Sequence, residues 1–250
     1  MDFLDVISQR TVEFIQRMPK ALRKAYGQFF TGEQTARYLA SMYCLPAESP
    51  ATLRVLDAGA GSGMLAAALT LRLMAETSSR VSIVCYENDD NILPLLEQNL
   101  SELAALHPGR IDYETRDTNF ILSNRDNYQP NLFSAESEAF DYVIGNPPYK
   151  KMPKEAPEAL AMPHVCHGAP NLYFLFMAAG VSLMAPEAQM TYIIPRSWTS
   201  GTYFEKFRQY LFSHAVMERV HLFGSRDKVF EKESVLQETM IVTLRKTTLK

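Results

Sequence analysis

The sequence predicts an α/β fold: a doubly wound, Rossmann-like, seven-stranded sheet that is mostly parallel and ends with a terminal antiparallel strand. Three observations lead there. From about residue 52, short apolar runs alternate with segments of helical period, which marks βαβ units. The first of those runs opens into a glycine-rich loop, Asp57-Ala58-Gly59-Ala60-Gly61-Ser62-Gly63. The last two runs, residues 217–223 and 239–244, have little between them to form a helix, which suits an antiparallel hairpin.

The elements follow in order. The first 45 residues read as helices, with Phe3, Leu4, Val6 and Ile7 and then Val12, Phe14 and Ile15 at helical spacing. A break falls at residues 27–32, and a second helix is expected over 33–43. The spacing then predicts a strand at 53–56, a helix at 64–75, a strand at 81–86, a helix at 92–106 and a weaker strand at 111–115. A strand at 140–144 leads into a long proline-rich loop, 150–170, without clear period: a functional flap or a disordered loop. A helix at 172–184, a strand at 189–194 and a helix at 203–212 precede the closing pair. Residues 1–45 form an N-terminal helical segment and 46–250 the α/β domain.

Composition bounds the reading. The 250 residues are 47% hydrophobic, enough to bury one substantial core. The net charge of −3 implies no broad basic face, so the bulk composition does not announce nucleic-acid binding. Cys44, Cys85 and Cys166 are scattered, with no spacing for a disulfide framework or zinc knuckle, which fits a reducing compartment. His164-Val165-Cys166-His167 lacks the second cluster that a tetrahedral site needs, so no metal is expected. No early apolar run resembles a signal peptide and no stretch is long enough to span a membrane, so the expected setting is cytoplasmic.

The candidate site lies where strands end. In an open α/β sheet, ligands sit at the carboxyl ends of the strands. Gly59, Gly61 and Gly63 let the backbone turn tightly and let a ligand approach. The loop lacks a Walker lysine, and Asp57 before it would repel a pyrophosphate but take the ammonium of a methionine moiety. Glu87 ends the second strand, where a carboxylate can accept both hydroxyls of a ribose. Asp117 follows the third strand, where an adenine amino group would need an acceptor. Three acids and a glycine loop on one edge point to a nucleoside-bearing cofactor.

The fourth strand delivers Asn146-Pro147-Pro148-Tyr149 to the same edge. Two prolines make a stiff turn without N–H donors. The Asn146 side-chain oxygen and the Pro147 carbonyl are expected to converge on one NH2 group, drawing its lone pair out of conjugation. Tyr149 offers a flat face to a planar ring.

In this order, Asp-Ala-Gly-Ala-Gly-Ser-Gly, Glu87, Asp117 and Asn-Pro-Pro-Tyr resemble the class I S-adenosylmethionine-dependent methyltransferases that modify adenine N6. Gly27-Gln28-Phe29-Phe30-Thr31, Asn171 to Phe176, Tyr192 to Ser197 and the segment from Lys228-Val229-Phe230-Glu231 to Val242 resemble the gamma-class DNA enzymes of restriction–modification systems. The resemblance spans residues 25–246. It implies that Thr31, with Phe30 beside it, holds the methionine end of the cofactor and Asp57 its amino group. It implies Glu87 on the ribose, Asp117 on the cofactor adenine and Phe176 against that ring. Asn146 and Pro147 would bind the target amine, and Tyr149 and Phe230 would flank a flipped adenine.

Such enzymes carry a target-recognition module after the last strand of the catalytic domain, and none is expected in this chain, which runs a few residues past that strand. Recognition of DNA is therefore expected from another part of a longer polypeptide or from a partner. Two other readings stay open: methyl transfer to protein glutamine or to RNA, and a non-catalytic subunit that binds cofactor or serves as a scaffold.

Overall fold

Two hydrophobic periods alternate along the chain, and the structure follows them. The computed structural model describes residues 2–20, 30–128, 138–223 and 239–247. The strands are β1 (Thr52–Ala58), β2 (Arg80–Tyr86), β3 (Ile111–Arg116), β4 (Phe140–Gly145), β5 (Met184–Pro195), β6 (Ala215–Leu222) and β7 (Thr239–Lys246). They form one sheet in the order β3-β2-β1-β4-β5-β7-β6. β7 alone runs against the others, lying antiparallel to β5 on one side and to β6 on the other.

Helices cover both faces. On one face lie α1 (Phe3–Arg17), α2 (Glu33–Ser41), α3 (Met64–Glu76) and α4 (Leu93–Leu106). Leu4, Ile7, Leu39, Leu69, Leu96 and Leu100 from these helices bury against Val55, Ile83 and Ile144 of the sheet. The N-terminal helices thus share a core with the βαβ units. Beyond β3 come the short α5 (Phe120–Ser123) and α6 (Arg125–Tyr128), and beyond β4 the short α7 (Pro157–Ala161). α8 (Leu172–Ser182) and α9 (Glu205–His214) cover the other face, where Phe174, Leu175 and Phe207 pack on Val143 and Tyr192. Coverage on both sides is why β1, β2 and β4 read as nearly unbroken apolar runs. β6, at the edge, buries almost nothing and keeps Val216, Val220 and Leu222 about half exposed.

The expected order of elements holds, with one shift of register. The helix expected to reach residue 184 stops at Ser182, and β5 begins at Met184. Phe140 faces Met184 but Tyr142 faces Gln189, so residues 185–188 bulge out of the ladder. Pro186 cannot donate to a ladder, and Glu187 adopts a φ of 63°. The short helices carry too few turns to show a period.

A polar relay joins α1 to the glycine loop. Arg10 forms a bidentate pair with Glu102, at 2.9 Å to each oxygen, and donates to Asn99 Oδ1 at 3.0 Å. Asn99, buried, donates in turn to the Ser62 carbonyl at 2.9 Å.

β4 comes close to β5 because Gly145 lacks a side chain. A Cβ there would stand 2.8 Å from Cε1 of the buried Tyr192 ring. Gly145→Ala should therefore lose about 1–3 kcal/mol of stability by overpacking. Gly180→Ala, whose methyl meets the mobile end of Met190, should lose less. Urea denaturation of both variants checks this, and equal losses would show that the ring is not the obstacle.

Candidate active site

The cleft opens at the carboxyl ends of β1, β2 and β4, and holds about 1050 Å³ of space, open solvent at its mouth included. Gly59 and Gly61 form its floor, with Tyr86, Glu87 and Ile92 on one side and Asn146 and Pro148 on another. Phe120 and Phe176, with ring centroids 5.3 Å apart, make an aromatic wall. Phe30 closes one end beside Thr31, where a smaller recess continues along residues 59–62.

Gly59 and Gly61 both have positive φ, at 71° and 57°. A side chain at 59 would meet Phe176 and Pro148, and one at 61 would meet Phe30, so each would project into the cleft. The loop's donors are already engaged. Gly59 N–H and Ala60 N–H donate to the Tyr86 carbonyl at 2.8 and 2.9 Å. Gly61 N–H donates to Glu87 Oε2 at 2.9 Å. A phosphate cradle needs such N–H groups turned outward. Here they turn inward, so the loop is no anion site.

Glu87 is held hard. Its Oε1 accepts from the N–H groups of Asn88 and Asp89 at 2.9 and 3.1 Å. Burial raises its pKa from the ordinary value, against the three backbone donors that lower it. Asp57 is fully buried and does not line the cleft. The alternation of β1 turns it to the face beneath α3, where Oδ2 accepts from Ala66 N–H at 3.1 Å. Its Oδ1 has no hydrogen-bond partner among the described residues. Burial pushes its pKa up to about 7, opposed by the Ala66 N–H and helped by the charge of Glu87.

The other expected residues are placed as follows. Asp117 lies just past β3, exposed and outside the lining of the cleft; the turn into α5 presents Thr118 and Asn119 there instead. Gly63 is the residue before α3, at φ 76°, and serves packing: a Cβ would stand 2.9 Å from Leu96 Cδ1. Pro147 is buried, while Pro148 lines the cleft. Phe230, like Gln28 and Phe29, lies outside the described residues.

Asn146 is fixed from two sides. Its Nδ2 donates to Thr31 Oγ1 at 3.1 Å, and its Oδ1 accepts from the Tyr149 hydroxyl at 2.9 Å. That hydroxyl also lies 2.9 Å from the Ile193 carbonyl. The Tyr149 ring is partly buried, edge-on to Tyr173, and does not line the cofactor-sized cleft. These contacts set which way the amide points, with the oxygen toward Tyr149 and the nitrogen toward Thr31.

Residues 150–170 form the outer wall. Lys151 and Asn171 make an isolated antiparallel bridge, with Met152 N–H on the Pro170 carbonyl at 2.7 Å and Leu172 N–H on the Lys150 carbonyl at 2.8 Å. Lys150, Met152 and Glu158 line the cleft. Sequence reading missed Asn119, Phe120 and Glu158. Asn119 before Phe120-Ile121-Leu122 carries the signal of a helix cap; Glu158 carries none. Among the described residues no group of His, Cys, Asp or Glu is placed to hold a metal ion, and no helix is long and apolar enough to cross a membrane.

Residues 67–230 match the family model for the Eco57I restriction-modification methylase. The chain is 34% identical over 231 residues to the type II methyltransferase M.BsuBI of Bacillus subtilis, covering 89% of this chain and 44% of that protein. It is 28% identical over 236 residues to the type II methyltransferase M.PstI of Providencia stuartii, covering 92% and 45%. It thus spans less than half the length of these curated relatives. In fold it is similar to a protein of Listeria monocytogenes assigned to the class I S-adenosylmethionine-dependent methyltransferases, with TM-score 0.70, 14% identity and coverage of 99% and 69%. It is also similar to a type I restriction-modification methyltransferase subunit of Streptococcus thermophilus, with TM-score 0.65, 16% identity and coverage of 90% and 47%. The strand order and the antiparallel β7 are those of the class I fold.

The buried Asp57 gives a pH dependence with a definite sign. Between the ordinary 3.8 and about 7, the folded ligand-free protein holds a proton on Asp57 that the unfolded chain does not. Stability from this group is therefore present at low pH and lost as pH rises through about 7. Thermal melts from pH 5 to 8 should show falling stability that levels off above about 7, by at most about 3 kcal/mol for this group. Asp57→Asn, which keeps an oxygen for Ala66 N–H, should flatten the fall. Glu87, shifted in the same direction, leaves a smaller residual slope.

Proposed function

The chain belongs to the Eco57I restriction-modification methylase family, and from that premise we propose that it transfers a methyl group from S-adenosylmethionine to the exocyclic N6 of adenine in DNA. The observation that carries the reading is the meeting, at one rim, of a glycine loop with inward N–H groups and an Asn146 amide locked by Thr31 and Tyr149.

The residues fit the cofactor. Glu87 lines the cleft with a carboxylate, as a ribose diol requires, and Asp57, whose Oδ1 has no hydrogen-bond partner among the described residues, would add negative field beneath the loop once ionised, a form that a cationic ligand favours. That field suits a cation bearing an ammonium and a sulfonium and opposes a pyrophosphate. Phe120 and Phe176 would offer a purine an aromatic wall on one side. Phe30 and Thr31 would stand at the methionine end. Bound there, S-adenosylmethionine supplies an already activated methyl group on its sulfonium.

The protein then has to hold an amine in line with that carbon. Asn146 Oδ1 and the Pro147 carbonyl would accept the two N–H hydrogens of the amine. Both acceptors are on a stiff turn, so holding the amine fixes its direction and favours a nitrogen lone pair aimed along the transfer axis. Tyr149, through its hydroxyl, keeps the Asn146 oxygen where the amine needs it, and its ring with Phe230 would flank the base. An adenine inside a duplex is out of reach of such a turn, so it must be flipped out, at about a few kcal/mol. Recognition of the DNA site would come from a further part of the polypeptide or from a partner.

Calorimetry should show binding of S-adenosylmethionine, weakened about tenfold or more by Glu87→Ala. With tritiated cofactor, DNA and any recognition part supplied, digestion should yield labelled N6-methyldeoxyadenosine. Asn146→Ala should lower turnover about a hundredfold or more while changing cofactor affinity less than about threefold. Label in N4-methylcytosine would overturn the adenine assignment. Label in protein or RNA but not DNA, or binding without transfer, would overturn the DNA reading.

A further inference from the structure

The wall facing the glycine loop is built by the 150–170 segment, and one side chain of that segment has an unmet need. Glu158 sits on α7, whose Ala159 and Ala161 are buried in the core together with the following Met162. Its Oε1 accepts from Asn119 Nδ2 at 2.8 Å. Its Oε2 is buried and has no hydrogen-bond partner among the described residues. A carboxylate oxygen cut off from water without a donor is costly, so its position points to a donor that a ligand would bring.

The neighbours say which donor. Glu158 shares the lining of the cleft with Asn119, Ile92, Phe120 and Phe176, a partly apolar stretch that also includes Glu87. Asn119 cannot supply an acceptor there. Its oxygen caps α5, accepting from Ile121 and Leu122 N–H at 3.1 Å each, and its nitrogen is on Glu158. Asp117 lies outside this lining. An adenine ring against this stretch would present its exocyclic amine as a donor at its edge, and Glu158 Oε2 is the carboxylate oxygen in that lining left without a donor among the described residues.

We propose that Glu158, reaching in from the outer wall, accepts the exocyclic amino group of the cofactor's adenine and so selects adenosyl over inosyl ligands. The proposal rests on the cofactor reading above. It makes the 150–170 segment part of cofactor recognition, with Asn119 as the residue that positions Glu158. The staple between Lys151 and Asn171 keeps the segment's two ends together while α7 carries the contact.

The test compares S-adenosylhomocysteine with S-inosylhomocysteine, whose ring carries an oxygen where adenine carries the amine. By calorimetry the wild type should prefer the adenosyl ligand about a hundredfold or more. Glu158→Gln can turn an NH2 toward that oxygen, so it should narrow the preference at least about tenfold by weakening the first ligand and strengthening the second. Glu158→Ala should weaken adenosyl binding without improving inosyl binding. Melting temperatures of the variants, compared with wild type, separate this from loss of the wall. Equal weakening of both ligands by Glu158→Gln, or no change in either, overturns the proposal while leaving the cofactor reading in place. A wild type that binds neither ligand overturns both.

Discussion

The hydrogen bond from Gly61 N–H to Glu87 is the constraint on which the site depends. Buried backbone donors must be met, and here the end of β2 meets them: the Tyr86 carbonyl takes two N–H groups of the loop and the Glu87 carboxylate a third. The loop is thereby closed onto its neighbouring strand instead of opening toward a ligand. Two properties follow together. The floor of the cleft is rigid without any bound group, and its field is that of carboxylates, not of N–H dipoles. A fold often associated with phosphate is in this way turned toward a positively charged ligand, with no change in its strand order.

Much of this was legible in the sequence. The seven strands, their alternation with helices and the closing antiparallel strand follow from period and length. The loop after the first strand, Glu87 at the end of the second and Asn146 after the fourth are legible because one rule of α/β sheets sends them to one rim. What was lost lies where that rule stops. It places a residue at the rim but not on a side of the strand, and Asp57 went under α3 while Glu87 went to the cleft. One step of the chain past β3 was enough to put Asn119, and not Asp117, in the lining. Glu158 meets Asn119 across 39 residues, through a segment without period, and no local pattern announces such a contact.

Tyr149 shows a different limit. Its residue type suggests a stacking surface, which concerns the ring. The structure instead engages the hydroxyl, bonded to the Asn146 oxygen and close to the Ile193 carbonyl. Both uses are compatible, since an aromatic ring can be anchored at its polar tip and still offer a face. Thr31 is similar: it precedes α2, far from β4 in sequence, yet its hydroxyl orients the amide of the fourth strand's turn. The Asn146 amide is thus oriented by groups that need not touch a substrate.

The reversed strand has a consequence for how such proteins diversify. β6 finishes at Leu222, opposite Met240 of β7, and β7 starts at Thr239 beside Pro195, the end of β5. The chain therefore leaves and rejoins the sheet at neighbouring points on the rim that carries Asn146. Lengthening or exchanging what lies between those points leaves every register in the ladder unchanged. A lineage could change the chain there by insertion or deletion while the sheet stayed fixed.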